Sequence, residues 1–171
     1  QFLDLGLESN FCIYANGGFG RKEIFPSSDI DISIVEKSRV QNFENLEIFI
    51  SGLWDMGFDV GHSVRSIKDL RKIAKADVKE YTSYLTRRPL VSEKKIDHEI
   101  SKNLSSLWSK EKFYKAKKDE QINRHREYHS TSFNLEPNLK ESPGTLRDFQ
   151  TALWILQHCY NLSDIKSVSY T

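Results

Sequence analysis

The chain has 171 residues, 38% of them hydrophobic, with a formal net charge of +1 at pH 7. That length suits one ordinary domain or two small ones, able to bury about 70% of their unfolded surface. The near-balanced charge excludes a strongly basic protein and argues against tight binding to long nucleic acid. No apolar run approaches the ~20 residues of a membrane span, and the opening QFLDLGLESN lacks the basic and apolar regions of a signal peptide. Cys12 and Cys159 give neither a disulfide framework nor a metal-ligand spacing. They read as small core residues in a reducing compartment, so the expected location is the cytoplasm. The missing initial Met and the ending SVSYT suggest a piece of a longer protein.

In chain order, FCIYA (Phe11–Ala15) is a short apolar run closed by Gly17 and Gly18, a buried strand entering a tight turn. The following FGRKEIF suggests a short helix. DIDISIV (Asp29–Val35) alternates polar with apolar residues at the period of a half-buried strand. Val40, Phe43, Leu46, Ile50, Leu53 and Trp54 then form the stripe of an amphipathic helix capped at Gly57. FDVGHSVRS reads as a third strand, with Phe58, Val60, His62 and Val64 on one face and Asp59, Gly61, Ser63 and Arg65 on the other. One helix between two strands suggests a crossover, right-handed if those strands are parallel neighbours.

After Ser66 the strand signals fade, and IKDLRKIAKA, DVKEYTSYLTRR, residues 95–129 and GTLRDFQTALWILQHCY all carry helical spacing. The expected division falls near Arg88 and Pro89: an α/β core over residues 1–88, with a mixed sheet, and an all-helical domain over residues 89–171 that helps to complete the site.

The chemistry concentrates in ANGGFGRKEIFPSSDIDISIV (Ala15–Val35). Asp29 and Asp31 would face one side of a strand, where charges about 5 Å apart repel by roughly 3 kcal/mol at an effective dielectric near 20. A divalent cation offsets that repulsion, and Mg²⁺ prefers one or two carboxylates plus phosphate oxygens. Gly17 and Gly18 allow close approach of the backbone to phosphate, and Arg21 and Lys22 add positive charge nearby. Each motif alone is ordinary, a plain turn or a solvated strand edge; their order together describes a site for a metal-bound nucleoside triphosphate.

Strand, Gly-Gly, short helix and Asp-x-Asp, with ten residues from Phe19 to Ser28 between Gly18 and Asp29, resemble the signature of DNA polymerase β-like nucleotidyltransferases. GGFGRKEIFPSSDIDISI, LWDMGFDVGHSVRS and RHREYHSTSFNLEPNLKESPGTLRDFQTALWI further resemble the N-terminal region of the bacterial PII uridylyltransferases. The resemblance implies transfer of UMP from UTP to a tyrosine of the PII signalling protein, with Mg²⁺ and release of pyrophosphate. It also implies a third carboxylate, for which Asp59 is the candidate, and places Gly17, Gly18, Arg21, Ser28, Arg65 and Lys140 on the nucleotide. This chain has Phe19, Lys22 and Ile24 where relatives often read GGYGRGELFP. The hydrolase and ACT domains of full-length relatives are not recognisable here, and none of the five histidines stands in a His-Asp dipeptide.

Other residues have competing readings. Asp59 could equally be a solvated strand entry, and Arg65 could pair with a phosphate or an aspartate. His62 reads as a structural histidine. Arg124, His125 and Arg126, after Lys112, Lys115, Lys117 and Lys118, read as a solvated helix face. In NLEPNLKESPG, Glu136, Asn138, Lys140 and Glu141 are candidates to close over the nucleotide, unless Ser142 and Pro143 only prepare the last helix.

Overall fold

The structure, a computed structural model, describes residues 11–26, 28–37, 43–129 and 138–160. The chain separates into two compact units, Gln1–Leu107 and Trp108–Thr171. The first is built on four strands, β1 (Phe11–Ala15), β2 (Ile30–Glu36), β3 (Val60–Ser66) and β4 (Arg88–Val91). Their order in the sheet is β3-β2-β1-β4. β1 runs antiparallel to both β2 and β4, whereas β2 and β3 are parallel and joined through the helix α2 (Phe43–Asp55). The sheet is therefore mixed, as the sequence predicts. In chain order the remaining helices of this unit are α1 (Gly17–Arg21), before α2, then α3 (Ile67–Ala76), α4 (Val78–Leu85) and α5 (Lys94–Ser105).

Strand alternation sorts the side chains between two faces. Ile13, Ile32, Ile34 and Val60 share one face and pack with Leu46 of α2, with Phe49, Leu53 and Val64 partly buried against them. On the other face β1 places Cys12 and Tyr14 opposite Val35 and Ser33, all fully buried. There α3 and α5 cover the sheet with the buried Leu70, Ile96 and Ile100. The Tyr14 hydroxyl donates to Asp97 Oδ1 of α5 at 2.7 Å, which satisfies the one polar atom this large side chain takes into the interior. Burial together with that hydrogen bond pushes the Tyr14 pKa well above the usual phenol value.

Several boundaries differ from the sequence reading. Asp29 precedes β2, and Phe58 and Asp59 precede β3, instead of lying within these strands. The expected division near Arg88 instead falls after Leu107, because Arg88–Val91 is a fourth strand on β1 and α5 lies on the same sheet. Pro89 hides that strand from pattern reading; it sits on a sheet edge, opposite Tyr14, where a missing N–H is tolerated. The helical pattern over residues 95–129 is two helices, α5 and α6 (Lys110–His129), interrupted at Ser106–Ser109. The start of the Val40 stripe lies outside the described residues.

In the second unit α6 packs against α7 (Leu146–Tyr160). Phe113, Trp154 and Cys159 are buried here, and the Phe113 and His158 rings lie 4.3 Å apart. Lys117, expected on a solvated face, is 1% exposed: its ammonium lies 4.5 Å from the Trp154 ring centroid and 2.7 Å from Glu120 Oε2. Burial lowers its pKa, partly offset by Glu120. Lys112, Lys115 and Lys118 are exposed as expected.

Gly20 fixes how α1 meets the sheet. Its N–H donates to Asn16 O at 2.7 Å, and a Cβ there would lie 2.6 Å from Ala15 O and 3.1 Å from Thr86 O. Those are backbone atoms, which cannot swing aside. Gly20→Ala is expected to cost about 1–3 kcal/mol, read as a lower urea midpoint; an unchanged midpoint would show that α1 can lift away from the sheet freely.

Candidate active site

Residue Asp31 and two glycines define the geometry at one end of the sheet, where β1 ends and β2, β3 and β4 begin. As the chain leaves β1, Asn16 N–H donates to Asp31 O at 2.9 Å and the Asn16 side-chain amide donates to Ser33 Oγ. Gly17 follows with φ +54°, a left-handed conformation that disfavours side chains, and opens α1. A Cβ on Gly17 would stand 2.6 Å from Asp31 Oδ2. From the other side Gly61, the β3 residue paired with Asp31, would place a Cβ 2.8 Å from Oδ1. The carboxylate thus occupies the space that two missing side chains leave.

Both Gly17 and Gly18 lie within the first turn of α1, not ahead of a helix at Phe19 as the sequence suggests. The helix stops at Arg21 because Lys22 turns left-handed, φ 63°, with Glu23 N–H bonded to Gly18 O at 2.9 Å. Arg21 is paired with Glu23 at 2.7 Å. Arg88 reaches from β4 to donate to Gly20 O at 3.2 Å and Phe19 O at 2.9 Å.

Asp29, Asp31 and Asp59 are all exposed at this end of the sheet. The Asp59 carbonyl accepts from Ile30 N–H at 2.8 Å, which sets β3 beside β2. No group of three or more His, Cys, Asp or Glu suited to a metal ion occurs among the described residues, so Asp59 does not join Asp29 and Asp31 in a three-ligand cluster. Ser28 closes a turn, its N–H donating to Phe25 O and its Oγ accepting from Phe25 N–H, both at 3.0 Å. Arg65 meets neither aspartate; its guanidinium binds Glu80 of α4 at 2.5 and 3.4 Å. His62 is exposed, edge-on to Trp54 with centroids 5.7 Å apart.

The second unit holds the other candidates. Asn138 Oδ1 accepts from the N–H groups of Lys140 and Glu141, both at 2.9 Å, and Glu141 pairs with Arg147 at 2.8 Å. These residues build the loop into α7, and Lys140 is exposed. Glu136 lies outside the described residues. Arg124 and His125, expected on a solvated face, instead converge on Asp148: Arg124 Nη2 and His125 Nε2 reach its carboxylate together with Gln121 Nε2 at 2.9 Å and Gly144 N–H at 2.7 Å. Arg126 is exposed. Sequence spacing alone did not single out Asn16, Gly61, Arg88 or Asp148.

Residues 112–170 match the family model described as GlnD PII-uridylyltransferase. A bifunctional uridylyltransferase/uridylyl-removing enzyme of Hydrogenovibrio crunogenus is 39% identical over 158 residues, 91% of this chain and 18% of the relative. One from Idiomarina loihiensis is 42% identical over 166 residues, 92% of this chain and 19% of the relative. One from Aliivibrio fischeri is 36% identical over 173 residues, 99% of this chain and 20% of the relative. The chain belongs to the family of bifunctional uridylyltransferase/uridylyl-removing enzymes. It spans about a fifth of the length of these relatives. A solved structure described as "Crystal structure of the toxin-antitoxin with AMP-PNP" aligns over 77% of this chain and 96% of its own, with TM-score 0.43 and 15% identity; the assignment does not depend on it. Among the described residues, no helix of this uridylyltransferase-family chain is long and apolar enough to cross a membrane.

The family match covers Asp148, whose ionisation is open to a test. Burial pushes its carboxyl pKa up, but hydrogen bonds from Gln121, Gly144 N–H, His125 and Arg124 outweigh this and hold it well below the usual carboxylate range. A depressed pKa contributes stability that is present above the unfolded value, near 3.9, and is lost as pH falls through the folded one. Asp148→Asn is therefore expected to destabilise the protein by about 3 kcal/mol at pH 7. Its deficit against the unaltered chain should shrink steadily below about pH 4, measured by urea unfolding across pH; a pH-independent deficit would contradict the assignment.

Proposed function

We propose that this chain transfers UMP from UTP to a tyrosine hydroxyl of the PII signalling protein in the cytoplasm, releasing pyrophosphate. One observation carries the reading: the Asp31 carboxylate held between Gly17 and Gly61, with the exposed Asp29 two residues before it, in a chain of the uridylyltransferase family. Two exposed carboxylates suit a hard cation that takes one or two of them plus phosphate oxygens, so the donor set fits Mg²⁺. Asp29 and Asp31 would hold it, and when bound it neutralises phosphate charge.

The chain's own residues do the rest by positioning. The backbone of α1 at Gly17 and Gly18 would approach the triphosphate beside Asp31, and Arg21, oriented by Glu23, would add charge there. The tyrosine oxygen attacks the α-phosphorus in line, the bond to the bridging oxygen breaks, pyrophosphate departs, and a carboxylate of the site takes the hydroxyl proton. Rate enhancement of this kind comes mainly from orientation and preorganised charge. Arg65 is tied to Glu80 and serves here to hold α4 to the sheet; Asp59, Ser28 and Lys140 remain candidates through their places near the sheet end and the α7 loop.

Incubation of the chain with labelled UTP, Mg²⁺ and PII protein, beside ATP, CTP and GTP, tests the reading directly. UTP-specific label on PII that disappears with a chelator is the expected result; label from every nucleotide, or none, would contradict it. Asp31→Asn should keep the melting temperature and lower transfer at least about 100-fold, because the charge that binds the cation is halved. Gly61→Ala should also fold, since the group it meets is the end of a side chain, yet push Asp31 aside and cost about 100-fold in kcat/KM. Near-normal turnover of Gly61→Ala would mean that the carboxylate has no fixed place in the reaction.

A further inference from the structure

We infer that Arg88 is a positioning residue for the glycine turn, holding α1 so that Gly17 and Gly18 face the nucleotide; the inference rests on the nucleotidyl-transfer reading. α1 is one short turn, Gly17–Arg21, and a helix of this length is not stable by itself. Its last carbonyls need partners. Two of them, Phe19 O and Gly20 O, take the Nη2 and Nε of one guanidinium at 2.9 and 3.2 Å, and that guanidinium also lies 5.1 Å from the Phe19 ring centroid.

Arg88 itself is anchored. It opens β4 and pairs in register with Ala15, the last residue of β1. The same arginine therefore grips both ends of the connection: backbone pairing holds it to the residue before the turn, and its side chain holds the residues after it. A planar fork that spans two carbonyls fixes orientation as well as distance, which a single ammonium does not. Gly20 completes the seat, since a Cβ there would meet Ala15 O and Thr86 O. With α1 pinned at its far end, the backbone of Gly17 has one place beside the Asp31 carboxylate.

Neighbouring Arg87 supplies an internal control. Its guanidinium donates to Tyr84 O, Asp97 and Ser101, which tie α4 to α5. Arg88→Gln and Arg87→Gln should both lower the melting temperature, but only Arg88→Gln should move the Gly17 and Gly18 amide resonances. The same variant should raise the UTP dissociation constant about tenfold, measured without PII so that turnover does not enter. Arg88→Lys should restore part of the affinity, and takes the place of Arg88→Gln if the latter fails to fold. Wild-type glycine resonances and UTP affinity in the folded Arg88 variant, or equal losses in the Arg87 variant, would overturn the inference. Failure of the unaltered chain to bind UTP would instead overturn the transfer reading and this inference with it, so the two failures are distinguishable.

Discussion

The space around one carboxylate governs the first unit. β2 is buried from Ile32 to Glu36, and only at its start does the strand offer an exposed acid. Asp31 can keep its rotamer only because Gly17 and Gly61 have no Cβ, each of which would intrude to within 3 Å of a carboxylate oxygen. The two glycines come from different elements, one from the turn after β1 and one from β3, 44 residues apart in sequence. The mixed sheet makes them neighbours: the antiparallel β1/β2 pair brings the turn to the start of β2, and the parallel β2/β3 pair sets Gly61 level with Asp31. A sheet paired otherwise would separate them.

Holding that arrangement falls to groups that look incidental along the chain. Asn16 ties the exit of β1 to Asp31 O and Ser33 Oγ, and Arg88 ties the end of α1 to β4. Hydrogen bonds from a charged donor contribute about 1.5–3 kcal/mol each. That is enough to hold a five-residue helix whose own nucleation is unfavourable. The edge strand β4 thereby matters to the site although its exposed Leu90 and Val91 add little core.

Much of this was legible in the sequence because it is improbable. Alternation in DIDISIV and FDVGHSVRS and the stripe of α2 marked two strands and a helix between them, with their parallel pairing left conditional, and the chemical oddity of paired acids beside glycines pointed to Asp29 and Asp31. Pro89 concealed β4, since pattern reading treats proline as a break while an edge strand tolerates it. Lys117 and Arg124 were concealed by their type: long cations at helical spacing normally face water, whereas Trp154 and Glu120 take Lys117 inside and the carboxylate of Asp148 takes Arg124. Arg88 had no local pattern at all, because its partners lie 68 and 69 residues away.

Asp31 and Asp148 show why the same side chain serves two ends. A carboxylate offers about four lone-pair sites, and Asp148 meets donors from Gln121, Arg124, His125 and Gly144. Protein donors fill its capacity, so it joins α6 to α7 and the preceding loop and has little left for a ligand. Asp31 sits differently, exposed at the start of β2 with Gly17 and Gly61 on either side of its carboxylate. A residue saturated by protein donors gains stability from its charge, whereas Asp31 stays exposed to solvent at the start of its strand. The difference in exposure between the two acids thus lies less in the residue than in its neighbours.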